Sequence, residues 1–162
     1  MIIIFCYQYS IGGKNMNNKV NIIYWSGTGN TELMAKSIYE GSNNNENFKL
    51  LSVDEAKLED VTEADILFLG CPSMGNEELE ESEMEPFMES ISNDINGKKI
   101  VLFGSYGWGN GEWMQDWEER VKKHGGILIE ESIICNEGPS DEDISKLSSL
   151  GEKYSLANSV SI

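Results

Sequence analysis

The stretch Trp25-Ser26-Gly27-Thr28-Gly29-Asn30-Thr31 constrains this chain more than any other. It follows Val20-Asn21-Ile22-Ile23-Tyr24, a short β-branched apolar run that reads as a buried strand. After it, Leu33, Met34 and Ile38 fall at helical spacing. A strand, a tight loop of small residues and a helix N-terminus bring unpaired backbone N–H groups and about half a positive charge to one spot. Gly27 and Gly29 let the backbone curl around a ligand, while Ser26, Thr28, Asn30 and Thr31 add side-chain donors. The stretch reads as a phosphate cradle.

The cradle contains no Lys or Arg. A nucleoside-triphosphate loop needs Gly-Lys-Ser/Thr to reach the outer phosphates, whereas Gly29 is followed by Asn30 and Thr31. The dinucleotide fingerprint needs a third small residue where Glu32 stands, and no acidic residue downstream fits the ribose clamp. What remains is a terminal monophosphate held by neutral donors. The competing reading is a plain serine- and glycine-rich turn into a helix.

From Val20 onward, strands and helices alternate. The pattern predicts strands at Val20–Trp25, Leu50–Val53, Ile66–Leu69, Ile100–Phe103 and Ile127–Ile134. It predicts helices at Thr31–Tyr39, about Glu85–Ile95, about Gly111–Lys123 and about Asp141–Ala157, with a short helical piece near Glu59–Glu63. Continuous apolar strands joined by helices imply an α/β fold, a parallel sheet covered on both faces. In such sheets the ligand sits beyond the carboxyl ends of the strands, so the loops after strands one, three and four share one site. The loop after strand three, Gly70 to Glu77, carries Met74; the loop after strand four, Gly104 to Gly111, carries Trp108. Two large apolar side chains on flexible polar loops beside a phosphate cradle suggest a sandwich around a planar aromatic mononucleotide.

At 162 residues, with no repeat or linker, residues 16–162 read as one domain. The 28 acidic and 12 basic residues give a net charge of −16, which argues against nucleic acid and membrane partners and for a basic protein partner. Three scattered cysteines, Cys6, Cys71 and Cys135, argue for a reducing cytoplasm and against a disulfide framework or a metal site. Residues 1–15 read as an N-terminal extension, disordered or a mis-assigned start, because Ile2 to Tyr7 is too short to span a bilayer and lacks secretory-signal features.

Three motifs together carry a resemblance: Tyr24-Trp25-Ser26-Gly27-Thr28-Gly29-Asn30-Thr31-Glu32, Gly70-Cys71-Pro72-Ser73-Met74-Gly75, and Phe103-Gly104-Ser105-Tyr106-Gly107-Trp108-Gly109. In this order the chain resembles a flavodoxin of the short-chain type from anaerobic bacteria. The resemblance implies a doubly wound three-layer sandwich with a five-stranded parallel sheet in order 2-1-3-4-5, non-covalent FMN, and low-potential one-electron carriage between semiquinone and hydroquinone. It also implies a monomer exchanging electrons with basic-patched redox proteins such as ferredoxin/flavodoxin reductases and ferredoxin-linked oxidoreductases. The implied FMN-binding set is Ser26, Gly27, Thr28, Gly29, Asn30 and Thr31; Pro72, Ser73, Met74, Gly75, Asn76 and Glu77; and Ser105, Tyr106, Gly107, Trp108 and Gly109. Within it, Ser26, Thr28, Asn30 and Thr31 would bind the phosphate, and Met74 and Trp108 would cover the two faces of the isoalloxazine. Gly75 would present its backbone to flavin N5, Glu77 would accept from N3–H, and the N–H groups of Gly107 and Trp108 would meet the pyrimidine edge. Pro72 and Asn76 stand where some relatives have serine and aspartate.

The acidic run Glu77, Glu78, Glu80, Glu81, Glu83, Glu85 and Glu89 reads as a solvated face that steers basic partners. Two other functions compete. An FMN-dependent NAD(P)H:quinone reductase would need basic residues for the nicotinamide phosphate, which are not in evidence. A signalling receiver domain would need an aspartate where Trp25 and Ser26 stand. The single histidine, His124, reads as a surface residue at a helix C-terminus.

Overall fold

The computed structural model describes residues 18–159, the last three as backbone only, so the reading of residues 1–15 lies outside the described residues. The elements in chain order are β1 (Val20–Tyr24), α1 (Asn30–Gly41), β2 (Phe48–Ser52), α2 (Leu58–Thr62), β3 (Ile66–Gly70), α3 (Met84–Ile91), β4 (Lys99–Tyr106), α4 (Glu112–Lys123), β5 (Ile127–Leu128), β6 (Ile133–Asn136) and α5 (Asp141–Ser159).

Every named strand pair is parallel, in the order β2-β1-β3-β4-β5, with β6 also on β4. Successive strand residues point to opposite faces, so each central strand feeds two cores. Ile23, Leu67, Leu69, Ile100 and Leu102 face Met84, Met88 and Ile91 of α3 and Trp113, Trp117 and Val121 of α4. Val20, Ile22, Phe68, Val101 and Phe103 face Met34, Ala35 and Ile38 of α1 and Leu147 of α5. These strands are apolar at consecutive positions because neither face meets water, and each fully buried large side chain contributes about 1.5–3 kcal/mol. The result is the expected three-layer sandwich.

The single strand predicted at Ile127–Ile134 is corrected to two. β5 pairs with β4 at Lys99 and Ile100, the Ile129 N–H still donates to the Ile100 carbonyl at 3.1 Å, residues 130–132 leave the ladder, and β6 pairs with β4 from Phe103 to Tyr106. The break falls on Glu130-Glu131-Ser132, and the Glu130 carboxylate accepts hydrogen bonds from Lys153 and, at 2.6 Å, from the Tyr154 hydroxyl on α5. Because β6 continues past the end of β3, β4 runs longer than expected: Gly104, Ser105 and Tyr106 are strand, and the fourth-strand loop begins at Gly107. The third helix is also shorter than predicted, ending at Ile91. His124 caps the C-terminus of α4, half-buried.

Candidate functional site

The cradle forms where β1 ends beside β3 and α1 begins. Gly29 takes a left-handed conformation (φ +99°) that aims the chain into α1 without a side-chain cap of its own. The Ser26 hydroxyl oxygen accepts the N–H groups of Gly29 and Glu32, each at 3.2 Å, which leaves its own proton to donate. The backbone N–H groups of Gly27, Thr28, Asn30 and Thr31 meet no acceptor among the described residues. Thr28 and Gly27 are exposed. Thr31 is fully buried, its hydroxyl 3.1 Å from that of Ser105, and the Ser105 N–H donates to Thr31 Oγ1 at 3.4 Å. This pair ties the cradle to β4 and leaves one hydroxyl proton to spare. The cradle is therefore a cluster of neutral donors at a helix N-terminus.

The loop after β3 is a tight turn. Met74 and Glu78 exchange backbone hydrogen bonds at 2.8 and 2.9 Å, with Gly75 (φ +51°) and Glu77 (φ +54°) both left-handed. A Cβ at Gly75 would meet nothing within 4 Å, so only the backbone angle resists a side chain there. Ser73 N–H donates to the Ser105 carbonyl at 2.9 Å, which extends the β3–β4 ladder into the site. Pro72 is half-buried and Asn76 exposed.

Glu77 is buried, and its Oε1 accepts the N–H groups of Gly111 and Glu112 at 3.2 Å each. It thus serves as the anion for the N-terminus of α4, bolting the Met74 turn to the loop after β4. Gly109 lies so close that a Cβ there would sit 2.3 Å from Glu77 Oε1. The neighbouring Glu77 carboxylate, by hydrogen bond and by charge, raises the Glu112 carboxyl above its ordinary range. On the β4 side, Gly107 faces open space and Trp108 is 62% exposed, while Met74 across the site is 38% exposed. Tyr106 turns inward instead, its ring 5.6 Å from that of Trp113.

Three features lay outside the sequence reading. Glu80 is not part of a solvated face; it is 5% exposed, and its carboxylate accepts the N–H groups of Ser82, Glu83 and Met84 and the Ser82 hydroxyl. Burial alone would raise its carboxyl, but these donors outweigh burial and hold it below the ordinary glutamate range. The only signal for this was Glu80 standing three and four residues before the start of α3, and the surrounding carboxylates hid it. Trp25 donates from Nε1 to Glu83 at 3.3 Å and lies over Gly27, between two cavities of about 240 and 280 Å³. The loop after β6 also joins the site: a Cβ at Gly138 would lie 3.3 Å from Asn30 Oδ1.

The sheet order, the cation-free cradle and the two exposed apolar side chains define a mononucleotide-binding protein of the doubly wound α/β class. The flavodoxin family profile matches residues 22–151. A flavodoxin of Clostridium beijerinckii is 46% identical over 125 residues, covering 76% of this chain and 91% of that protein. One of Megasphaera elsdenii is 46% identical over 124 residues, covering 75% and 89%. The solution structure of two-electron reduced Megasphaera elsdenii flavodoxin superposes with a TM-score of 0.74 at 41% identity, covering 85% of this chain and 98% of that one. The chain belongs to the flavodoxin family, whose members are FMN-binding electron-transfer proteins and not enzymes. The quinone-reductase alternative is not favoured. The cradle's free N–H groups and the open space beyond Gly29 fit a phosphate, and the exposed Met74 and Trp108 fit a flat ring. Among the described residues, no helix is long and apolar enough to cross a membrane.

Proposed function

We propose that this chain is a low-potential, one-electron carrier that holds FMN without a covalent bond, works between its one- and two-electron-reduced forms, and acts as a cytoplasmic monomer. The observation that carries the reading is the α1 N-terminus, where four backbone N–H groups and the Ser26 hydroxyl proton meet no acceptor among the described residues, with no cation in the loop. Thr28, Asn30 and Thr31 complete that donor set, and Pro72, Ser73, Ser105 and Tyr106 form the floor behind it. Met74 and Trp108 cover the ring faces and exclude water from them. Gly75 offers its backbone, either way round, to the ring nitrogen that changes protonation on reduction. Glu77 keeps one carboxylate oxygen on α4 and has the other to accept a ring N–H. Gly107, Trp108 and Gly109 supply backbone donors to the pyrimidine edge, with Asn76 at the rim. Bound FMN supplies the one-electron chemistry. Acidic surroundings disfavour a further negative charge, which keeps the potential low, and attract basic-patched redox partners such as ferredoxin/flavodoxin reductases and ferredoxin-linked oxidoreductases.

Titrating apoprotein with FMN while following tryptophan fluorescence tests the reading. Wild type is expected to quench at one equivalent, and Trp108→Phe to quench markedly less, with Trp25, Trp113 and Trp117 as the remaining signal. Equal quenching in both proteins would show that Trp108 does not face the ring.

A further inference from the structure

The turn that carries Met74 and Gly75 borders a cavity of about 280 Å³ lined by Trp25, Leu79, Glu80 and Ser82. Glu77 ties the middle of the turn to the N-terminus of α4, and its two ends are held separately. Its leading end is Cys71, pinned by three hydrogen bonds: its N–H donates to the Phe103 carbonyl at 3.1 Å, its carbonyl accepts Trp113 Nε1 at 3.1 Å, and its thiol accepts the Glu80 N–H at 3.5 Å; its carbonyl also lies where a Cβ at Gly104 would have to go. Burial pushes that thiol up to about 12, so it stays neutral and able to accept. The trailing end is Glu80. Its N–H closes the loop onto Cys71, and its carbonyl accepts the Glu85 N–H at 2.9 Å. Its carboxylate gathers the first N–H groups of α3, Glu83 at 2.8 Å and Met84 at 3.0 Å, together with the N–H and hydroxyl of Ser82. Helix α3 is itself set in the core through Met84, Met88 and Ile91.

We propose that Glu80 is a positioning residue for the flavin ring: by clasping the N-terminus of α3 and closing the 71–80 loop on Cys71, it fixes where Met74 and Gly75 stand. This deepens the FMN reading and rests on it. The clasp is specific to a carboxylate, because every group facing it is a donor. A glutamine would turn two N–H groups toward N–H groups and leave donors buried without acceptors.

The sign of the effect separates positioning from charge. Removing a negative charge beside an anionic cofactor should by itself tighten FMN, whereas misplacing the turn should weaken it. Misplacement should also weaken FMN and riboflavin by the same factor, because the turn meets the ring and not the phosphate. The experiment measures the affinity of apoprotein for FMN and for riboflavin in wild type, Glu80→Gln and Ser82→Ala, at a temperature where melting curves show all three folded. Glu80→Gln is expected to weaken both flavins on the order of tenfold, and Ser82→Ala to do so in the same direction but less. Unchanged or tightened binding in Glu80→Gln, with only a lower melting temperature, would reduce Glu80 to a helix cap and overturn the proposal. Loss of FMN affinity with riboflavin spared would do the same, by placing the effect at the phosphate through Glu83 and Trp25. A wild-type protein that takes up neither flavin overturns the functional reading itself and this inference with it.

Discussion

The phosphate loop after β1 and the turn after β3 lie at the ends of neighbouring strands, yet opposite chemistry holds them in place. Three helix N-termini converge near the site. Those of α3 and α4 each receive a buried carboxylate from the chain, Glu80 and Glu77. That of α1 receives only the neutral Ser26 hydroxyl, and its one first-turn acid, Glu32, is paired with Lys36 at 2.8 Å. Of these three, the helix left without a buried internal anion is the one we propose to face the phosphate. In that proposal, a site in so acidic a chain can bind an anion because the buried carboxylates Glu77 and Glu80 already have their charge met by backbone donors.

Three sets of substitutions test these roles separately. The largest effect is expected from Ser26→Ala, which strips the acceptor from two backbone N–H groups and a donor from the cradle. At about 1–3 kcal/mol for the groups left short, FMN affinity should fall about ten- to a hundredfold while riboflavin affinity holds, as read by calorimetry. A parallel loss for riboflavin would mean that the loop also shapes the ring side.

Next is Gly75→Val. A β-branched side chain at φ +51° costs about 1–2 kcal/mol from its clash with the local backbone, although a Cβ there would meet no other atom within 4 Å. Both flavins should weaken about tenfold, and a redox titration should show the two reduction potentials drawing together, because the turn no longer reverses its peptide freely. A wild-type interval between the potentials would remove Gly75 from any redox role.

The smallest effect on cofactor affinity is expected at the exposed acids. Glu78 and Glu81 are exposed where Glu80 is not, so Glu78→Lys with Glu81→Lys replaces the acidic surface without touching the clasp. Flavin affinity should change by less than about twofold. The association rate with a basic reductase should fall severalfold and lose its salt dependence, since exposed charges are screened beyond about 10 Å at 0.1 M. Stopped-flow rates that ignore both salt and the substitutions would end the steering argument.

The alternation of strands and helices, the two-sided burial of the sheet, the absence of a cation from the loop after β1, and the positions of Met74 and Trp108 on the loops after β3 and β4 were all legible in the chain. Each of these rests on residues close together in the chain: a period of two or 3.6, a glycine in a turn, a small side chain before a helix. Tertiary structure decided which polar residues are consumed by the fold. Glu77 meets Gly111, Thr31 meets Ser105, and Cys71 meets Trp113, all pairs more than thirty residues apart, and none leaves a local trace. Glu80 and Glu81 are neighbours with the same side chain, and only packing separates a buried clasp from a solvated charge. The fifth strand divides for the same reason: Glu130 is drawn to Lys153 and Tyr154 on a helix that comes later in the chain. Local patterns fix what a segment can become; the long-range partners available to its polar groups decide what it does.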